Sequence, residues 1–258
     1  MDRREFNVTL AAVSLINLLA PAALAQPASS PRPRVGLLIY PDMIMLDLVG
    51  PLTVFSIMQA DIHLIAKTAQ PVMTDVRLPV APTASFETAP KVLDVLFVPG
   101  GLKGTVAAMK DRETVDFVKA QGEAAGLVTS VCTGSLLLGA AGLLRGYQAT
   151  SHWYVRDLLA HMGGIVRTDR VVEDRNRVTG GGVTAGIDLA LKVAARMAGE
   201  ATARRIQLLI EYDPKPPFDS GSPEHAGSAT VNEVLDRRKD IIAEAEAAAK
   251  AAGATMKL

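Results

Sequence analysis

Beyond residue 33, the chain alternates between short apolar runs and longer amphipathic stretches. The continuous apolar runs indicate buried strands, and the stretches between them have the spacing of helices. Predicted strands cover 35–39, 62–65, 95–98 and 127–131, and predicted helices cover 51–59, 114–124, 135–140, 153–162 and 184–198. A β-hairpin is predicted within 72–80 and a β-pair within 170–179. Apolar strands separated by helices predict an α/β fold whose mostly parallel sheet is covered on both faces.

Three unusual loops follow strand ends in this prediction. They cover residues 42–50, 99–101 and 131–135. In parallel sheets, ligands bind beyond the carboxyl ends of the strands. We therefore expect these loops to form one site.

The first residues have the pattern of an export signal. Arg3 and Arg4 precede an apolar stretch over 8–19, and Ala23-Leu24-Ala25 is a small-residue cleavage site. The pattern predicts a cleavable twin-arginine-type signal over 1–25, a periplasmic location, the twin-arginine export machinery as a partner and no stable membrane anchor. A linker (26–33), one domain (34–225) and a C-terminal helical extension (226–258) are predicted to follow, with the extension either packed or frayed.

Composition narrows the class of protein. The formal net charge is zero and 49% of residues are hydrophobic, as expected of a soluble globular domain. The absence of a basic cluster in the sequence argues against a nucleic-acid partner. The four histidines show no metal-ligand spacing with the one cysteine, so no metal is expected.

Cys132 is the only cysteine and lies between a predicted strand and a predicted helix. Such a nucleophile elbow lifts the side chain clear of the sheet and needs small residues on either side, here Ser130 and Gly134. The helix N-terminus is expected to favour the thiolate. A lone cysteine is otherwise a small buried apolar residue, but the strand-to-helix context favours the nucleophile.

Other candidate residues surround Cys132 in this arrangement. Asp47 is a carboxylate in an apolar loop, where it either caps the helix predicted at 51 or serves as an acid/base partner. Gly100 and Gly101 follow a buried strand. The Gly101 and Thr133 N–H groups could form an oxyanion pocket, although the glycines alone also fit a tight turn.

Three further residues complete the predicted site. His152 is the only histidine beside a strand end that is expected to face the same sheet edge. It is either a base for Cys132 or, more often for a lone histidine, a structural hydrogen-bonding group, and we assign it to the surroundings of the site. Ile44 and Phe218 are predicted to line the pocket.

These segments together resemble the ThiJ/PfpI superfamily, which is related to class I glutamine amidotransferases. Within it the sequence is most similar to the isonitrile hydratases. The segments that carry the resemblance cover 46–51, 98–101, 129–135, 151–153, 179–182 and 216–223. They extend over nearly all of the chain after the predicted signal.

The resemblance implies a flavodoxin-like three-layer sandwich, a homodimer and no cofactor. It implies that Cys132 is the nucleophile, Asp47 the acid/base residue and Thr133 a necessary neighbour. The implied reaction hydrates an isonitrile to an N-substituted formamide through a cysteine thioimidate. Protease-like members have histidine after the cysteine, and the threonine here argues against peptidase activity.

Two alternatives remain open from the sequence. One is the ligand-binding domain related to AraC-type regulators, although only a short Ala-rich and charged segment follows 223. The other is an exported thiol-based stress protein that uses Cys132 against peroxide or reactive carbonyl compounds.

Overall fold

The fold was analysed in a computed structural model, which describes residues 32–256. The predicted signal and most of the predicted linker lie outside these residues. The central sheet has seven strands: β1 (Arg34–Leu38), β2 (Asp61–Ala66), β5 (Ala84–Ser85), β6 (Val95–Val98), β7 (Leu127–Val131), β10 (Val171–Asp174) and β11 (Arg177–Gly180). Their order in the sheet is β10-β11-β7-β6-β1-β2-β5, and all neighbours are parallel except for the β10–β11 pair.

Two strand pairs lie outside the central sheet. The predicted hairpin is confirmed as β3 (Val72–Met73) and β4 (Pro79–Val80), which are antiparallel. A parallel pair joins β8 (Gln148–Ala149) to β9 (Ile165–Val166).

The helices pack in two groups, which cover the sheet and give the predicted flavodoxin-like sandwich. One group contains α1 (Met45–Ile57), α5 (Ala185–Ala198) and α6 (Glu200–Leu209). The other contains α2 (Leu102–Lys110), α3 (Arg112–Ala124), α4 (Gly134–Ala140), α8 (Ser228–Thr255) and the 3-10 helix Arg156–Met162. The short α7 (Pro223–Ala226) precedes α8.

The sheet brings the predicted loops together because its central strands are neighbours in register. Phe97 of β6 pairs with Leu37 of β1 on one side and with Thr129 of β7 on the other. Every residue of β6 and β7 is buried, so both strands run through the core. The carboxyl ends of β1, β6 and β7 therefore meet at one edge of the sheet.

The first helix begins earlier than the sequence predicts. The proline at 51 suggested a helix start, but α1 begins at Met45 and contains Pro51 in its interior. The proline ring packs against Gly186 of α5, where an added Cβ would lie 3.2 Å from Pro51 Cγ. This packing accommodates a residue that cannot donate the usual helical hydrogen bond. Asp47 consequently lies in the first helical turn and not in a loop.

The C-terminal helix α8 is packed and not frayed. It buries Ala245, Ala249 and Gly253 and contacts both α2 and the 3-10 helix. A side chain at position 253 would collide with the His161 carbonyl group, so this glycine permits the close approach.

None of the helices within 32–256 combines the length and apolar character needed to cross a membrane.

Candidate active site

Cys132 occupies a sharp turn between β7 and α4. The strand ends at Val131, the helix begins at Gly134, and Cys132 has a φ of 56°. This left-handed conformation is uncommon for a residue with a side chain and is typical of functional turns. The predicted need for a small residue at 134 is confirmed, since a Cβ there would lie 2.5 Å from the Pro99 carbonyl oxygen.

The Asp47 carboxyl group and the Cys132 side chain converge beside Gly100. The Gly100 N–H donates a hydrogen bond of 2.8 Å to Asp47 Oδ2. A Cβ on Gly100 would lie 2.8 Å from Asp47 Oδ2, 2.8 Å from Cys132 Cβ and 2.6 Å from the Thr133 nitrogen. A side chain at position 100 would therefore occupy the space in which these groups meet. Asp47 Oδ1 has no hydrogen-bond partner among the residues described.

The site is more enclosed than the sequence suggests. The elbow pattern predicts a sulfur lifted clear of the sheet edge, but Cys132 and Asp47 are both fully buried. The reason is that the segment after β8 covers the turn: Ser151 Oγ and the His152 N–H both donate to the Cys132 carbonyl oxygen, at 3.0 and 3.3 Å. The Gly100 loop closes the site from another direction.

Burial also reverses the expected ionisation of the thiol. Burial, reinforced by the charge of Asp47, raises the pKa of Cys132 well above its usual value, although the Thr133 N–H acts in the opposite direction. Burial raises the pKa of Asp47 to about 7, partly offset by the Gly100 N–H. The short helix α4 does not overcome desolvation, so the expectation that its N-terminus makes the thiol easier to ionise is wrong. The pair instead holds a protonated thiol beside a carboxyl group that titrates near neutral pH.

A chain of hydroxyl groups fixes Thr133. Tyr40 donates to the Pro99 carbonyl oxygen at 2.5 Å and contacts Thr105 Oγ1 at 3.1 Å, which in turn lies 2.8 Å from Thr133 Oγ1. The Gly101 N–H donates to Thr133 Oγ1 at 2.9 Å. This corrects the prediction that Gly101 offers an oxyanion donor, because its N–H group already holds the threonine hydroxyl.

A cavity of about 560 Å³ lies next to the buried pair, although neither Cys132 nor Asp47 contributes to its lining. Ile44 and Gly101 line it, and the Ile44 N–H donates to the Gly100 carbonyl oxygen at 2.9 Å. Ile44 thus lines the cavity as predicted. Phe218 does not: its side chain is 78% exposed and points away, while the neighbouring segment 220–223 forms part of the wall. The α8 residues that line the cavity are Thr230, Val231, Val234, Arg238 and Ile241.

His152 forms part of the cavity wall beside Tyr154. The two ring centroids are 3.8 Å apart, and His152 Nδ1 has no partner within the described part of the chain. Burial, with the nearby charges of Arg238 and Arg156, lowers the pKa of His152 to about 4. The imidazole is therefore neutral at physiological pH and lies at the periphery of the Cys132–Asp47 pair.

Several residues around the site were not predicted from the sequence. Tyr40 and Thr105 hold Thr133, and Tyr154 and Arg238 line the cavity. Tyr40 carried a usable signal, since it is a polar aromatic residue directly after the first buried strand. Arg238 carried none, because nothing local indicates that the C-terminal helix folds over the site. Within 32–256, no cluster of three or more His, Cys, Asp or Glu side chains has metal-binding geometry.

Comparison with known proteins agrees with this geometry. A profile of the DJ-1/PfpI family matches residues 33–196. The chain is 50% identical over 205 residues to isonitrile hydratase from Pseudomonas putida, covering 79% of this chain and 89% of that protein. It is 44% identical to a crystal structure of a ThiJ/PfpI family protein from Pseudomonas syringae, with a TM-score of 0.83 and coverage of 88% and 98%.

A transcriptional regulator is also similar over part of its length. The HTH-type regulator GbdR from Pseudomonas aeruginosa is 32% identical over 156 residues, which are 58% of this chain and 41% of the regulator.

Proposed function

The chain belongs to the DJ-1/PfpI family, and we propose that it hydrates an isonitrile to an N-substituted formamide. The observation that carries the proposal is the buried meeting of the Cys132 thiol and the Asp47 carboxyl group beside Gly100. The similarity to isonitrile hydratase from Pseudomonas putida supports the same reaction.

In the first step, the enzyme adds a sulfur–hydrogen bond across the isonitrile carbon. Asp47 takes the thiol proton and delivers it to that carbon, which carries a lone pair and becomes electrophilic when protonated. The Cys132 sulfur then forms the carbon–sulfur bond, giving the thioimidate R–N=CH–S–Cys. A carboxyl group with a pKa of about 7 suits this transfer, because it both accepts and returns a proton near neutral pH.

In the second step, water replaces the sulfur. Water adds to the thioimidate carbon, one of its protons passes through Asp47 to the nitrogen, and R–NH–CH(OH)–S–Cys forms. The carbon–sulfur bond then breaks, the remaining hydroxyl proton returns to the sulfur, and R–NH–CHO leaves. One water is consumed, and the thiol and carboxyl group regain their starting states. Throughout, the Gly100 N–H holds the Asp47 carboxyl group, and the Gly101 N–H holds the hydroxyl of Thr133, the residue after Cys132.

The thiol-stress alternative fits the site less well. Peroxide reacts with the thiolate, so peroxide-reactive cysteines have a lowered pKa. The pKa of Cys132 is raised instead, which keeps the thiol protonated. The buried thiol instead depends on Asp47 to accept its proton, as the hydration mechanism requires.

The test is to incubate the purified protein with cyclohexyl isocyanide and to follow N-cyclohexylformamide by NMR. We expect formamide from the wild type and none above background from Cys132→Ala. A fully active Cys132→Ala protein would falsify the mechanism. A parallel peroxide titration of the thiol tests the alternative, which predicts rapid oxidation and no formamide.

A further inference from the structure

The cavity wall provided by α8 contains a cation without an acidic partner. Arg238 lines the cavity, and no carboxylate within 32–256 lies at ion-pairing distance from it. Its neighbour Arg237 differs, because it pairs with Glu233 at 2.7 Å and does not line the cavity. The Arg238 guanidinium lies 5.6 Å from the centroid of the Tyr154 ring.

The two carboxylates of the cavity are both engaged. Asp42 pairs with Lys103 at 2.9 Å, and Asp75 Oδ1 accepts the Met45 N–H at 2.9 Å. The lining also contains three cations, Arg77, Lys103 and Arg238; within 32–256, Arg77 has no ion pair either, but Arg238 is the one whose charge lowers the pKa of His152 beside Cys132. The cavity lining thus has one more positive charge than negative charges, although the formal net charge of the chain is zero.

Arg238 lines the same cavity as two residues next to the reacting groups, His152 and Gly101. The His152 N–H donates to the Cys132 carbonyl oxygen at 3.3 Å, and Gly101 follows Gly100, whose N–H donates to Asp47 Oδ2 at 2.8 Å. The charge of Arg238 also contributes to the lowered pKa of His152. A small substrate that fills this cavity can contact Arg238 at one end and the wall beside the buried pair at the other.

We propose that this cavity selects isonitriles that carry a carboxylate, and that Arg238 binds that carboxylate. The inference rests on the proposed hydration and names its substrate class. A guanidinium group forms paired, charge-assisted hydrogen bonds with a carboxylate, which a neutral ester cannot match. The expected products are N-formyl amino acids or similar N-formylated carboxylates.

The test compares isocyanoacetate with its ethyl ester above pH 7, where the acid is ionised. The wild type is expected to have the higher kcat/KM for the acid. In Arg238→Gln, the acid-to-ester ratio of kcat/KM is expected to fall about tenfold or more, because a charge-assisted pair is lost. Arg238→Lys is expected to restore part of the ratio, and Arg237→Gln to leave it at the wild-type value.

The outcomes separate the two proposals. If the wild type hydrates neither compound nor cyclohexyl isocyanide, the proposed function fails. If the wild type has the same kcat/KM for the ester as for the acid, only the carboxylate assignment is overturned. The same holds if Arg238→Gln keeps the wild-type acid-to-ester ratio of kcat/KM. Unchanged circular dichroism and melting temperature of each variant establish that the ratio reports binding and not folding.

Discussion

The buried pair and the cavity next to it are built by different parts of the chain. Cys132 and Asp47 are held by strand ends and backbone hydrogen bonds within residues 33–196, which match the family profile. Much of the cavity wall comes from the segment 220–223 and from α8, both beyond that match. The difference suggests that the chemistry is set by the family core and that substrate choice is set by the C-terminal part.

The comparison predicts that changes in the core affect turnover most. Asp47→Asn keeps the size of the side chain but removes the proton acceptor, so kcat for cyclohexyl isocyanide is expected to fall by about 10²–10⁴-fold. Asp42→Asn is the matched control, since Asp42 lines the cavity but pairs with Lys103. A similar loss in both variants would contradict a special role for Asp47.

The Asp47 carboxyl group is also expected to lower the free energy of unfolding as pH rises. Its pKa is raised from 3.8 to about 7, so the folded state binds a proton that the unfolded state releases between those values. Stability therefore falls as pH rises through this window, by about 4 kcal/mol at most. Urea unfolding at pH 5 and pH 8 is expected to show a larger decrease for the wild type than for Asp47→Asn. Equal decreases would refute the raised pKa.

A smaller effect is expected from the hydroxyl chain behind Thr133. Tyr40→Phe removes the hydroxyl that contacts Thr105 Oγ1 and leaves Thr133 less firmly oriented. We expect kcat to fall about tenfold with KM nearly unchanged, since hydroxyl contacts are worth about 1 kcal/mol each. Tyr147→Phe is the control, because Tyr147 lies under Arg175, away from the site. A change confined to KM would place Tyr40 in substrate binding instead.

The two regions also differ in how far the sequence predicted them. The strand that ends at Val131, the glycine at 134 and the acid at 47 are local signals that set the geometry of the core. The ionisation of the thiol has no such local signal: the raised pKa of Cys132 comes from burial and from the charge of Asp47, which is 85 positions earlier in the sequence. The sequence of the turn predicts a nucleophile, but the protonation state of its thiol is determined by the assembled fold.

The residues of the cavity wall could not be predicted from the sequence, for a different reason. The extension after 226 has the composition of a surface helix, yet α8 packs on the rest of the chain through small residues, Ala245, Ala249 and Gly253, the last of which lies against the His161 carbonyl. The same helix contributes Val234 and Arg238 to the cavity wall. Phe218, predicted to line the pocket, is 78% exposed and lies outside the cavity lining.

The smallest predicted effect tests the wall itself. Val234 lines the cavity from α8, and Val234→Ala removes two methyl groups from that surface. Because Val234 faces the cavity and is not part of the Cys132–Asp47 pair, we expect KM for cyclohexyl isocyanide to rise about threefold to tenfold with kcat unchanged. Val231→Ala, one turn of the same face away, is expected to act in the same direction. Leu208→Ala is the control, since that side chain is 79% exposed on α6 and lies outside the cavity. A loss in kcat without a change in KM would show that α8 supports the reacting groups, and the division between a catalytic core and a selective wall would fail.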